Sequence, residues 1–167
     1  MNPHDRPLPA TLFSSLQTAY GKSIVRSLRE FAEMVETSQA QEKETLQLIS
    51  FCPFAGNHPS TRNALTFSAV ALDYDAGRLT LDGAAQQFRK AGLSALLYST
   101  PSSTRDAPRW RVVLPMSEDK PAALYSKMVA RANGVVGGVL APESFTAAQA
   151  YFFGHVGKNA RCVTKLI

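Results

Sequence analysis

The sequence predicts an α+β fold with a mainly antiparallel sheet laid out on a ferredoxin-like plan. Three observations carry this expectation. Residues 64–74 and 93–98 are apolar runs of strand length, and residues 109–115 alternate, with Trp110, Val112 and Leu114 on one face and Arg109, Arg111 and Val113 on the other. Apolar residues recur at helical spacing through Ile24, Leu28, Phe31 and Val35, and again through Leu81, Ala84, Ala85 and Phe88. The elements then follow in the order helix, strand, strand, helix, strand, strand, helix, strand, without an internal repeat. In such a plan helices cover one face of the sheet and leave the other free.

Taken in order, residues 1–10 are rich in Pro and predict a disordered or loosely attached N-terminus, with a single domain over 11–167. Residues 11–44 read as a helical region. Leu12 and Leu16 suggest a short first helix broken by Gly21, and Ser23 can cap the helix that runs through Val35. The polar stretch 37–44 reads as a linker or a fraying helix end. The sheet core spans 45–167, beginning with a strand over 46–51 and a turn region rich in Pro, Gly and Asn over 52–63. Gly92 closes the helix that starts at Leu81. Residues 99–108 form a loop of Ser, Thr and Pro, and 121–132 reads as a helix through Leu124, Met128 and Val129. Residues 134–138 make a glycine-rich hinge, and short strands are expected at 151–153 and 162–167.

Composition bounds the function classes. The chain has 167 residues, 45% of them hydrophobic and 19% charged, the balance of an ordinary globular protein able to bury a core. A net charge of +5 favours anionic partners, nucleic acid or nucleotide phosphates. No apolar run approaches the roughly 20 residues of a membrane span, and the first residues lack a signal-peptide core, so a cytoplasmic location is expected. Cys52 and Cys162 are far apart and are expected to be reduced. With His58 and His155 they match no common zinc spacing.

Chemistry concentrates where the run Val70, Ala71, Leu72 ends in Asp73, Tyr74 and Asp75. On a strand the side-chain period is two, so Asp73 and Asp75 point to one side of the sheet. Two carboxylates that close repel unless a positive charge intervenes. Oxygen pairs of this kind suit a hard divalent cation, Mg2+ or Mn2+, bound weakly because two carboxylates supply few ligands. Arg109 and Arg111 share one strand face and can line a groove for phosphates or a template, while Trp110 on the other face reads as core. Lys22, Arg26 and Arg29 read as a solvated helix edge, and His155 and the run 151–153 read as structural.

From residue 51 to about 154 the chain resembles the primase-polymerase proteins of the archaeo-eukaryotic primase superfamily carried by phages, plasmids and other mobile elements. The resemblance rests on three segments in order: Val70-Ala71-Leu72-Asp73-Tyr74-Asp75, Tyr98-Ser99-Thr100-Pro101-Ser102, and Pro108-Arg109-Trp110-Arg111-Val112-Val113-Leu114-Pro115. It implies a palm-like domain on an RNA-recognition-type sheet that makes or extends primers from nucleoside triphosphates. It further implies metal held by Asp73 and Asp75, and nucleotide or nucleic acid gripped by Ser99, Thr100, Ser102, Ser103, Arg109 and Arg111. Single-stranded or primed DNA, nucleoside triphosphates and a replicative helicase are the implied partners. The chain contains no phosphate-loop motif of a helicase.

Two departures from the family pattern bear on activity. Ser103 stands where the family's loop carries histidine, and Ala141 stands where its third acid is expected, ahead of Pro142-Glu143-Ser144-Phe145. Glu143 can substitute as a ligand, but a two-residue shift on extended chain relocates a carboxylate by about 6–7 Å. The arginine usually found shortly afterwards is Gln149. The expectation is a replication-type nucleic-acid- and nucleotide-binding domain with a diverged, weak or inactive catalytic site. The alternative is an active DNA primase/polymerase, revived if a third carboxylate lies beside Asp73 and Asp75. A rolling-circle initiator would need paired histidines, and an RNA-recognition-type binding module would need exposed aromatics on the central strands.

Overall fold

The computed structural model describes residues 2–157 and 162–167. In chain order the strands are β1 (Leu8–Phe13), β2 (Lys22–Arg26), β3 (Gln39–Ala40), β4 (Leu48–Ser50), β5 (Thr66–Tyr74), β6 (Leu96–Ser99), β7 (Trp110–Pro121), β8 (Tyr151–Phe152), β9 (His155–Val156) and β10 (Thr164–Leu166). The helices are α1 (Leu28–Thr37), α2 (Leu81–Lys90) and α3 (Tyr125–Val135). One four-stranded sheet runs β2-β1-β4-β8 and a second runs β10-β6-β7-β5, each antiparallel throughout; β3 and β9 form a short parallel pair. This is the mainly antiparallel α+β architecture the element pattern predicts.

The second sheet separates two bodies of core. Val70, Leu72 and Tyr74 of β5 and Trp110, Val112 and Leu114 of β7 pack with Ala84, Ala85 and Phe88 of α2 and Val129 of α3. On the opposite face, Ala69, Ala71, Leu96 and Val113 meet Phe31 and Val35 of α1 and Leu8, Ile49 and Tyr151 of the first sheet. The face expected to be free is therefore covered by α1 and the first sheet. The period of two that sorts these side chains also sends Asp73 and Arg111 to this second face, beside the alanines.

The N-terminal third differs most from its expectation. Residues 8–13 form β1, with Leu8 fully buried, so the Pro-rich start is neither disordered nor loosely attached. Arg6 pairs with Asp119, and the His4 ring lies 2.7 Å from the Ile167 carbonyl. Leu12 belongs to this strand and Leu16 is 62% exposed, so their spacing of four marks no helix. The alternation Leu8, Ala10, Leu12 is the operative pattern, spread over a segment that two prolines disguise. Only α1 remains of the expected helical region. Ile24 lies on β2, and Ser23 donates to Asn57 instead of capping. The helix begins at Leu28 under a reciprocal box: Glu30 N–H donates to Ser27 Oγ, and Ser27 N–H donates to the Glu30 carboxylate.

Strand β7 runs six residues past its predicted end at Pro115. Pro115 lies opposite Ala69 and Lys120 opposite Phe67, so residues 116–119 bulge out where proline has no N–H to give the ladder. The Arg6–Asp119 pair ties this bulge to the N-terminus. At the far end of the chain, Gly154 turns between β8 and β9 with φ +100°, and a Cβ there would fall 2.6 Å from the Ser38 carbonyl oxygen. No helix among the described residues is long and apolar enough to cross a membrane.

Gly154→Ala meets both a left-handed backbone and a backbone clash, so it should cost more than about 1 kcal/mol in urea unfolding. Gly92→Ala, at φ +71° with open space around it, should cost less.

Candidate metal and nucleotide site

Register places the site. Asp73 on β5 lies directly opposite Arg111 on β7, and Arg111 Nε donates to Asp73 Oδ1 at 2.6 Å. Both side chains are buried, at 5% and 9% exposure. The guanidinium also donates through Nη1 to the Phe152 carbonyl and stacks 4.9 Å from the Tyr151 ring centre. Burial is the largest influence on Asp73 and holds its carboxyl above the usual range, while Arg111 pulls the other way and Asp75 adds repulsion.

Asp75 stands two residues on, on the same side, and is exposed, with Arg109 Nε 4.0 Å from its Oδ1. The expected pairing of the two aspartates on one face is present. Strand β5 is, however, an edge strand of its sheet rather than a central one. Its outer edge is closed by a short 3-10 turn, Pro142–Phe145. Ala141 N–H donates to the Asp73 carbonyl and Asp73 N–H donates to Ser144 Oγ, both at 2.9 Å.

That turn changes the reading of position 141. Ala141 supplies no ligand, but the turn folds back on β5 and brings Glu143 to the aspartates. One oxygen each of Asp73, Asp75 and Glu143 lie within 4.8 Å of one another. The shift of 6–7 Å expected for extended chain does not apply, because the chain here coils rather than extends. Three carboxylates, one anchored and two exposed, offer only oxygen, the donor set of a hard divalent cation. The acids open on a cleft of about 240 Å³ lined also by Thr100, Ser102, Arg109, Gln149 and Lys43.

The loop after β6 divides the other predicted residues between two places. Thr100 and Ser102 face the carboxylates, whereas Ser99, Ser103 and Thr104 line a neighbouring cleft that shares only Thr100 with the first. Ser103 Oγ accepts the Arg109 N–H at 3.0 Å, and Ser99 Oγ accepts the Val163 N–H at 2.9 Å. Each hydroxyl keeps its own hydrogen to donate. Arg111 lines the cleft with its guanidinium committed to Asp73, and Arg109 is the more available of the two.

Lys43, Ser144 and Tyr151 are site residues that the sequence does not single out. Lys43 sits in the stretch read as a linker, and its ammonium lies 5.7 Å from the Phe152 ring centre. The remaining candidates disperse. Tyr98 and Trp110 are buried, so these strand aromatics offer no base-stacking platform. His4, His58 and His155 each sit against different partners, His58 on the edge of the Tyr20 ring. The Cys52 thiol is pushed up to about 12 by burial, and the acidic triad is the only metal-capable cluster among the described residues.

No family model and no curated protein matches the sequence. Among solved structures, the chain is similar to the AEP domain of the cyanophage S-2L primase-polymerase (PP-N190), with a TM-score of 0.55 at 6% identity, over 95% of this chain and 80% of that one. The fold is primase-polymerase-like. In this primase-polymerase-like frame the acid-ended strand, the Ser/Thr loop and the arginine strand converge on one cleft.

Arg111→Met should leave Asp73 buried without its partner and cost about 3–5 kcal/mol. Adding Asp73→Asn should recover much of that loss, because the pair is then replaced as a unit. Urea melts of the single and double variants measure both effects; a single variant as stable as the wild type would mean that the ion pair does not organise this face.

Proposed function

We propose that this domain is a metal-dependent primase-polymerase that binds a nucleoside triphosphate and a DNA strand at the Asp73, Asp75 and Glu143 cleft and joins nucleotides there. The observation that carries the reading is the third carboxylate: Glu143 lies with Asp73 and Asp75, one oxygen of each within 4.8 Å of the others. Bound by these acids, Mg2+ or Mn2+ would supply the charge that activates the attacking hydroxyl and neutralises the phosphates.

The chain's own residues prepare the rest. Asp73 is fixed by Arg111 on its side chain and by Ser144 and Ala141 on its backbone, so one ligand is held in place before any cation arrives. Asp75 and Glu143 are exposed and free to adjust. Arg109 and Lys43 at the cleft provide cationic partners for phosphate oxygens, and Thr100 and Ser102 provide hydroxyl donors. The net charge of +5 favours a polyanionic strand. A replicative helicase fits this role as a partner.

A second reading is favoured by the Arg111–Asp73 pair. One oxygen of Asp73 is already spent on the guanidinium, and Ser103 brings no charge to the loop, so the domain would bind nucleotide and DNA with weak or absent synthesis.

Primer synthesis and extension with Mn2+ decides between them. The wild type should incorporate nucleotides, and Asp75→Asn or Glu143→Gln should each lower the rate a hundredfold or more. Ala141→Asp should change the wild type little but restore part of the loss in Glu143→Gln, since residue 141 borders Asp73. Nucleotide binding without incorporation by the wild type would select the second reading.

A further inference from the structure

A cavity of about 1050 Å³ lies away from the acids, on the helix-covered face of the second sheet. Its floor is the cross-strand pair Val70 and Leu114. Helix α2 rests on β6 and α3 on β5, and over the Leu114 end of β7 between them neither helix closes the gap. The α3 wall is Met128, Ala132 and Val135, a stripe at helical spacing. The other walls come from residues 91–94 after α2, from residues 115–117 and from the N-terminal segment 2–7. Met116, Met128 and Val135 are only half-buried, and Leu93 is 37% exposed. An apolar hollow left unfilled forfeits the contacts its lining would otherwise make. Its size is that of a small-molecule site, whose walls are mainly apolar with a few polar groups to orient the ligand.

Charge selects the ligand. No carboxylate among the described residues lines the cavity, and its two charged residues are Arg6 and Arg131. Arg6 is already spent on Asp119 and the Ser68 carbonyl. Arg131 is exposed and makes no ion pair among the described residues. Lys127 precedes it by one helical turn and is likewise exposed and unpaired among them. Like charges four apart weaken a helix, and an anion beside them offsets the repulsion. Arg89 and Lys90, also exposed and outside every ion pair among the described residues, end α2 directly before the wall at 91–94. Both helices that border the hollow thus carry unanswered cations beside it. An apolar interior with a cationic edge matches a molecule with a long apolar body and an anionic end.

We propose that this cavity binds a long-chain carboxylate, its hydrocarbon chain laid over Val70 and Leu114 between Met116 and Met128, and its carboxylate paired with Arg131. Walls from several chain segments around a sheet floor suit a slender chain better than a helix about 10–12 Å across. The two methionines, flexible and polarizable, adapt to a chain of variable length. The site shares no lining residue with the carboxylate cleft and stands or falls apart from it.

Methionine methyl NMR tests this residue by residue. The sequence has four methionines, and Met34, packed on α1 in the opposite core, is the internal reference. Dodecanoate, kept below its micelle-forming concentration, should move the Met116 and Met128 signals and leave Met34 in place. Decanoate should bind about tenfold more weakly, since each methylene removed from an apolar site costs about fourfold. Dodecyltrimethylammonium, with the same chain and the opposite charge, should bind at least about tenfold more weakly than dodecanoate, and Arg131→Glu should erase that preference. Asp75→Asn should bind dodecanoate as the wild type does. Ala132→Leu, which thickens the α3 wall, should weaken binding, and Arg131→Glu on the exposed helix face remains informative if Ala132→Leu does not fold. No movement at millimolar dodecanoate overturns the proposal, as does equal binding of the two head groups or a joint shift of Met34, the mark of general disruption by an amphiphile. Signals of Met116 and Met128 that change on dilution of the protein alone would place a second copy in the cavity instead. Signals that answer a short acidic Leu/Glu helical peptide and not dodecanoate would place a partner's helix there, and either result overturns the carboxylate.

Discussion

A buried guanidinium joins the two sheets. Arg111 sits on β7 opposite Asp73 of β5 and Tyr98 of β6, and reaches the Phe152 carbonyl and the Tyr151 ring of the first sheet. Taking a guanidinium out of water costs several kcal/mol unless every donor direction is answered. Here a carboxylate, a carbonyl and an aromatic face answer it together, and they come from β5 and β8, which are not neighbours in either sheet. A one-residue slip of β5 against β7 would turn Asp73 to the helix-covered face and strand Arg111 without a counter-charge. The pair therefore penalises wrong registers more than it adds stability to the right one.

The same interaction shapes what the acids can do. Three carboxylates meet at the cleft, and Arg111 with the more distant Arg109 offsets two of their charges. Repulsion among the acids is thereby reduced, while a residual negative charge remains that a cation could offset. The cost is that one Asp73 oxygen is committed. The ligand set is consequently unequal, with a rigid member at the strand end and two exposed members that can close on an ion. Asp73 is locked further by the turn at 142–145, whose serine and preceding amide bond its backbone. Ala141 thus contributes through its N–H although its side chain is inert.

Much of the sheet was legible because β5, β7 and α2 carry unmixed periods, and a period of two alone places Asp73, Asp75 and Arg111 on one side. Their mutual register was not legible: nothing local in residues 73 and 111 states that strands 38 positions apart align them. Local sequence therefore shows Arg111 only as a groove residue, whereas it lines the cleft and is an internal partner as well. The N-terminal third misled through a competing pattern. Leu12 and Leu16 obey helical spacing, but Leu12 shares one strand face and one core with Leu8 and Ala10, and two prolines mask the strand. Glu143 was visible as a residue and invisible as a ligand, since its position depends on a 3-10 turn that shortens the path an extended chain would take. Lys43 lay in a polar stretch with no period at all.

The loop from Thr100 to Arg109 is the remaining determinant, and its rigidity has a specific source. Thr100 N–H donates to the Arg109 carbonyl, Arg109 N–H donates to Ser103 Oγ, and Thr104 N–H donates to the Ala107 carbonyl, so the loop is cross-braced at both ends. Arg109 owes its orientation toward Asp75 to this bracing. Ser103 accordingly acts as a strut for the arginine beside the acids, a role its small hydroxyl fills and a larger imidazole would fill only with a different loop path. The absence of histidine at this position therefore need not signal decay. The loop is a thin partition, with acids on one side, donors on the other, and Thr100 buried between them, its hydroxyl without a partner among the described residues.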